Sequence, residues 1–192
     1  MDSLDDGPNN LGQNYAMVAL LDDEHIAKVH QIWKLLQTEC GLPLIDIPPY
    51  PHFSFHVAQS YRLAELDDHL NDLIPKINPF TIRTTGLSVF TGQNPVVYIP
   101  VVPNQTLLSL HQLIWDKTSR LGNQLNPYYQ PDNWVPHITL IHNNIDVECL
   151  NCIFDQFIGQ AFEWEVMIDK LSVIYQKGGE YGIHEIYPLQ KS

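Results

Sequence analysis

Basic residues are scarce in this chain. Ten Lys and Arg stand against 22 Asp and Glu, a net charge of −12. A protein that holds a long nucleic-acid tract neutralises many phosphates with a basic stripe, and no such stripe is visible in the sequence. A phosphate-bearing partner is therefore expected to be a small nucleotide or a short RNA end taken into a local pocket, not a long tract. Long apolar runs are missing too. None approaches the roughly 18 uncharged residues that a spanning helix needs, so no membrane partner is expected. The opening MDSLDDGPNN is acidic, unlike a secretory or transit peptide, and a cytoplasmic location is the expectation. Cysteine is limited to Cys40, Cys149 and Cys152, and an odd count without framework spacing argues against a disulfide scaffold. Cys149 and Cys152 form C-x-x-C, but no second pair accompanies it. In the helix-patterned DVECLNCIFDQFI the two share a face and read as buried thiols.

What is abundant is apolar: 44% of 192 residues, enough for one packed domain. Residues 1–14 are polar and rich in Gly, Pro and Asn, and are expected to form a disordered acidic tail. After it, YAMVALLD reads as a buried strand. A helix comes next, capped at Asp22 or Asp23 and stopped at Gly41. LPLIDIPPYP is a proline-rich loop, HFSFHVAQSY (52–61) a strand, and RLAELDDHLNDLIPKI a helix ending near Pro75. FTIRTTGLSVF (80–90) and VVYIPVV (96–102) are predicted strands. Then come a helix over 104–122, a loop rich in Pro, Asn and aromatics, a strand HITLIH (137–142) and a helix IDVECLNCIFDQFIG. AFEWEVMIDKLSVIY is predicted as one long strand, and KGGEYG as a hairpin turn into IHEIYPL.

The second half repeats the first. Pro51-His52-Phe53-Ser54 recurs as Pro136-His137-Ile138-Thr139, and Leu87-Ser88-Val89 recurs as Leu171-Ser172-Val173. Both halves have the same order of elements. Two copies, about 15–95 and 96–190, point to a pseudo-twofold pair within a single bilobal domain over 15–192 rather than to a solenoid. Side chains alternate along a strand, so His52 shares a face with Ser54, and His137 with Thr139. By the same alternation His56 shares the face of His52, and His142 points away from His137. If the two motif strands face each other, two imidazoles and two hydroxyls converge. One imidazole can then accept a proton while the other donates one, and the hydroxyls can hydrogen-bond phosphate oxygens. Cleaving a cyclic phosphodiester needs that set of groups.

The repeated His-x-Ser/Thr, each with an apolar residue after it (His52-Phe53-Ser54-Phe55 and His137-Ile138-Thr139-Leu140), resembles the two-histidine (2H) phosphoesterase superfamily and its 2'-5' RNA ligase-like branch. The resemblance covers about residues 15–190. It implies an α+β fold of two antiparallel sheets facing a central cleft, helices outside, with His52 and His137 catalytic and Ser54 and Thr139 binding phosphate. It implies hydrolysis of a 2',3'-cyclic nucleotide, an RNA end or a 2'-5' diester, without a metal or other cofactor. It further implies aromatics that stack the base, for which Phe55, Tyr128, Tyr129 and Trp134 are candidates. The implied basic residue near the phosphate has Lys177, Arg83 and Arg120 as candidates, with Lys177 favoured. A monomer is expected. The alternative is a module of the same fold that binds nucleotide or an RNA end without turnover.

Overall fold

The computed structural model describes residues 13–42, 48–142 and 145–190. The expected tail, up to residue 12, and positions 43–47 of the proline-rich loop lie outside the described residues. The chain runs β1 (Asn14–Leu20), α1 (Asp23–Cys40), β2 (His52–Tyr61), α2 (Leu63–Leu73), β3 (Phe80–Thr84), β4 (Ser88–Phe90) and β5 (Val96–Val102). It continues with α3 (Gln105–Thr118), β6 (Gly122–Leu125), β7 (His137–His142), α4 (Val147–Phe157), β8 (Glu165–Ile168), β9 (Lys170–Lys177) and β10 (Glu180–Pro188). Three of the helices begin where short polar side chains can take up free backbone N–H groups. Asp22 accepts from the His25 amide at 2.9 Å, Asn104 from the Leu107 amide at 2.8 Å and Asp146 from the Cys149 amide at 2.8 Å. Gly41, in the left-handed region at φ 61°, ends α1.

Among the described residues, ten strands form two antiparallel sheets. One has the order β10-β9-β1-β2-β6. In the other, β5 has β7 on one side and β4 and β3, end to end, on the other, with β8 beyond β3. Each sheet draws on both halves of the chain. Val18 of β1 sits between Ser54 of β2 and Ser172 of β9. Tyr98 of β5 sits between Thr139 of β7 and Ser88 of β4. In each sheet a His-x-hydroxyl motif thus lies one strand away from the other half's Leu-Ser-Val. The large core gathers inward residues of both sheets, such as Phe53, Ile82, Ile138 and Val173, with helix residues such as Leu36, Leu66, Ile114 and Ile153. A smaller cluster of Val18, Leu20 and Ile174, with Tyr50 packed on it, lies on the opposite face of the first sheet.

Two predicted strands are interrupted, for one reason. In the stretch 161–175, Val166 and Ile168 are buried, then Leu171 and Val173. The inward parity changes at Asp169, so no continuous strand could bury all four. The chain crosses there from the second sheet (β8) to the first (β9). In 80–90, Ile82 and Thr84 are buried while Leu87 and Val89 pack on the core, and Gly86 at φ 55° makes the step. Strand β6 falls where the end of a helix and a loop are predicted. It pairs with β2 through Tyr61↔Gly122. A Cβ at Gly122 would lie 2.8 Å from the Tyr61 ring and 2.9 Å from Leu125, so glycine permits the approach.

The cysteine reading needs correction. Cys40, the last residue of α1, is disulfide-bonded to Cys152 on α4, 112 positions away, and Cys149 is the free thiol. Sequence spacing could not reveal the pair, because α1 and α4 become neighbours only on folding. Closing a loop of that length restrains the unfolded chain, and such bonds typically stabilise by about 2–4 kcal/mol. Thiol titration of the denatured, unreduced protein should therefore give one thiol per chain. Reductant should lower the unfolding free energy measured in denaturant by that amount. A count of three thiols would refute the bond.

Candidate active site

Both motif strands carry the same irregularity. In the β1–β2 ladder Met17 pairs with His56 and Val18 with Ser54, leaving Phe55 as an extra residue. In the β5–β7 ladder Val97 pairs with Ile141 and Tyr98 with Thr139, leaving Leu140 extra. Each β-bulge falls on the apolar residue that ends the motif. A bulge breaks the alternation and re-aims the side chains beyond it. Before it, His52 and Ser54 share one face, as do His137 and Thr139. After it, two consecutive residues turn into the core: Phe55 and His56 in one half, Leu140 and Ile141 in the other, all essentially unexposed.

The two motif histidines are anchored alike. His52 Nδ1 lies 2.5 Å from the carbonyl of Tyr50, and His137 Nδ1 2.6 Å from that of Val135. A carbonyl only accepts, so each Nδ1 carries a proton and donates it, and each Nε2 keeps a lone pair. Burial pushes the His52 imidazole down to about 4, the Tyr50 carbonyl opposing and a charge on nearby His137 adding to the fall. Burial lowers His137 as well, against the pull of the Val135 carbonyl. The packing of β2 against β7 places the two rings in one electrostatic neighbourhood, where a charge on His137 reaches His52. His52 and Thr139, one from each motif, line a common pocket with Trp33, Pro48, Tyr50, Pro51 and His142. The His137 ring meets Phe90 edge-on at 5.0 Å and Tyr98 at 5.1 Å, and these two rings stack at 4.0 Å.

Ser54 is fixed from two directions. Its carbonyl accepts the Trp134 indole N–H at 2.9 Å, and its hydroxyl faces the Tyr129 phenol, drawing it down against the rise that burial causes. The sequence model of the 2'-5' RNA ligase superfamily matches residues 21–180, which hold both motifs. The chain belongs to the 2'-5' RNA ligase superfamily. Two proteins bearing the name "Putative phosphoesterase" are among its relatives. The one from Bacillus cereus strain B4264 is 27% identical over 145 residues, 73% of this chain and 80% of that protein. The one from Bacillus licheniformis is 27% identical over 146 residues, 74% and 81%. The fold matches that of TT0787 of Thermus thermophilus at a TM-score of 0.63 and 16% identity, over 92% of this chain and 97% of that one. It matches Escherichia coli LigT, in a structure with 3'-AMP, at 0.58 and 15%, over 93% and 99%. The expected α+β architecture of two antiparallel sheets is thus the observed one.

Within this superfamily fold several expected contacts move. Phe55 is not a stacking residue of the cleft: the bulge buries it against Trp134 and His111. Trp134 is likewise a core ring, parallel to His111 at 3.9 Å, and it reaches the site through the Ser54 carbonyl instead. Tyr129 touches Ser54, whereas Tyr128 is 77% exposed. Lys177 is removed from the site, five residues beyond Ser172 at the exposed end of β9 and, by alternation, on the other face. Arg83 is exposed on β3, paired with Val102 and Glu165, and Arg120 contacts His69 on the outside. His56 does not share the face of His52. Its Nε2 meets Thr118 at 2.7 Å and its Nδ1 meets Tyr61 at 2.5 Å. The Thr118 hydroxyl donates to the Ile114 carbonyl and so accepts from Nε2–H, leaving Nδ1 to accept from Tyr61. Burial holds that ring neutral, at about 3. His142, conversely, returns to the face of His137. It sits opposite Val96, which neighbours Phe90 on its other side.

Proposed function

We propose that this chain is a metal-independent phosphoesterase that hydrolyses a cyclic phosphodiester, a 2',3'-cyclic nucleotide or an RNA end, or a 2'-5' diester, by two-histidine acid–base catalysis. The observation that carries the reading is the equal anchoring of His52 and His137, each with Nδ1–H on the carbonyl two residues back and Nε2 bearing the lone pair. A lone pair on Nε2 is what a base needs, and a proton there is what an acid needs. His52, held further down, is the base and takes a proton from the attacking water. His137, when protonated, gives its Nε2 proton to the departing ribose oxygen. Ser54, held by Tyr129, and Thr139 donate to the non-bridging oxygens. The nucleotide in the LigT structure, 3'-AMP, supports a small nucleotide as substrate. We propose a monomer, since the sequence carries both copies of the motif in a single chain.

The two shifts give the pH dependence a definite direction. His52 must be neutral, which holds above about 4. His137 must be protonated, which fails above a value lying below the ordinary histidine range. The kcat/KM for 2',3'-cyclic UMP should therefore peak on the acid side of neutrality. It should fall about tenfold per pH unit beyond the alkaline limb. A rate that climbs steadily from pH 6 to 9 would contradict this assignment. The same assay in excess chelator tests the chemistry itself. Turnover that survives supports the two histidines, and turnover that disappears and returns with metal ends the proposal. Nucleotide binding without any turnover would make the chain a binding module.

A further inference from the structure

The two motifs are nearly symmetric, but the strand residues beyond them are not. Five residues after His52 stands Val57, and five after His137 stands His142. Because each bulge restores the outward face at that position, both lie on the cleft side of their strands, and the second half alone places a hydrogen-bonding ring there. His142 joins His52 and Thr139 in a pocket whose other walls are Trp33, Pro48, Tyr50 and Pro51. Two aromatic side chains and two prolines share its lining with the two histidines and Thr139, a surface of mixed polarity. No Lys, Arg, Asp or Glu lines it among the described residues, so a second phosphate finds no counter-charge there. An uncharged, flat group bearing hydrogen-bond acceptors fits the chemistry of these walls.

Resting on the reading above, we infer that His142 is a specificity-determining residue. It donates a ring N–H to the nucleoside portion of the substrate, held in this pocket on the His52 side of the phosphorus. Val57 offers no such donor on the other side, so the substrate binds in one orientation although the catalytic pair is symmetric. Proton transfer stays with His52 and His137.

The test compares two strained cyclic phosphodiesters: 2',3'-cyclic AMP, and glycerol 1,2-cyclic phosphate, which has the same ring without sugar or base. The variants are His142→Val, which reproduces the first-half residue and suits a strand, and His142→Gln, which keeps an N–H donor. His142→Val is expected to cut the preference for the nucleotide, as a ratio of kcat/KM values, about tenfold through KM, the scale of one lost hydrogen bond. His142→Gln should keep most of it. Calorimetric binding of 3'-AMP against inorganic phosphate reads the same pocket without catalysis, and His142→Val should weaken the former selectively. An unchanged preference in both measurements would overturn the assignment, as would an equal loss of kcat on both substrates. A wild-type protein that turns over neither substrate, yet loses 3'-AMP affinity on His142→Val, would sink the hydrolase reading and leave this one standing.

Discussion

His52→Ala and His137→Ala are each expected to lower kcat/KM for a 2',3'-cyclic nucleotide by roughly 10²–10⁴, the usual scale for losing a general acid or base. The two losses should not multiply. Once one proton transfer is gone the other gains little, so the double variant should resemble the worse single one. Folding should survive, since each ring is half-buried at the cleft and its Nδ1 bonds the carbonyl of a neighbouring loop. A cooperative thermal transition close to that of the parent is the control. The pair is also coupled through charge. A protonated His137 pushes His52 down, so in His137→Ala the His52 imidazole should titrate at a higher pH, which proton NMR of the ring can follow. Ser54→Ala and Thr139→Ala remove a neutral hydroxyl and should cost nearer tenfold. Retention of more than a tenth of the activity by either histidine variant would end the acid–base assignment.

Much of this architecture is legible in the chain alone because it depends on local chemistry. The cap at Asp22, the stop at Gly41 and the two copies of His-x-hydroxyl are short-range signals, and the elements fall where those signals put them. The features that stay hidden depend on parity. A strand that changes sheets, as at Asp169, shows only as a one-residue slip in the apolar rhythm, and a simple alternation count smooths over it. The bulges hide in the same way. In the second half the adjacent Leu140 and Ile141 break the alternation openly. In the first half the equivalent pair is Phe55 and His56, and the histidine disguises it. Simple alternation therefore puts His56 on the cleft side and His142 off it, the reverse of the structure. A further trace of duplication is fainter: Ile32-Trp33 on α1 recurs as Ile114-Trp115 on α3, 82 positions on, the same offset as the caps Asp22 and Asn104. It matters, because α1 packs on β7 and α3 on β2, each helix on the motif strand of the other half.

The reassignment of Trp134 has the largest consequence for stability. An aromatic in the loop before a motif histidine reads equally well as a base platform or an anchor, and the residue that decides between them, His111, comes from a helix earlier in the chain. In the fold Trp134 is 7% exposed. It lies parallel to His111, with planes 5° apart, and near-parallel to Phe55 at 5.8 Å. His111 Nε2 in turn bonds the Phe55 carbonyl at 3.0 Å. The stack therefore ties the motif-ending bulge of β2 to α3, and the indole N–H holds the Ser54 carbonyl. Trp134→Ala should cost about 3–5 kcal/mol of unfolding free energy, the scale for emptying a large aromatic site, and should impair turnover by freeing Ser54. Trp134→Phe keeps an aromatic ring and abandons one buried carbonyl, so about 1–3 kcal/mol is expected. Urea unfolding of the two variants separates these values. If Trp134→Ala instead left stability within about 1 kcal/mol of the parent while raising KM for the nucleotide, the ring would be a ligand platform after all. Ser54 would then be held by Tyr129 without it.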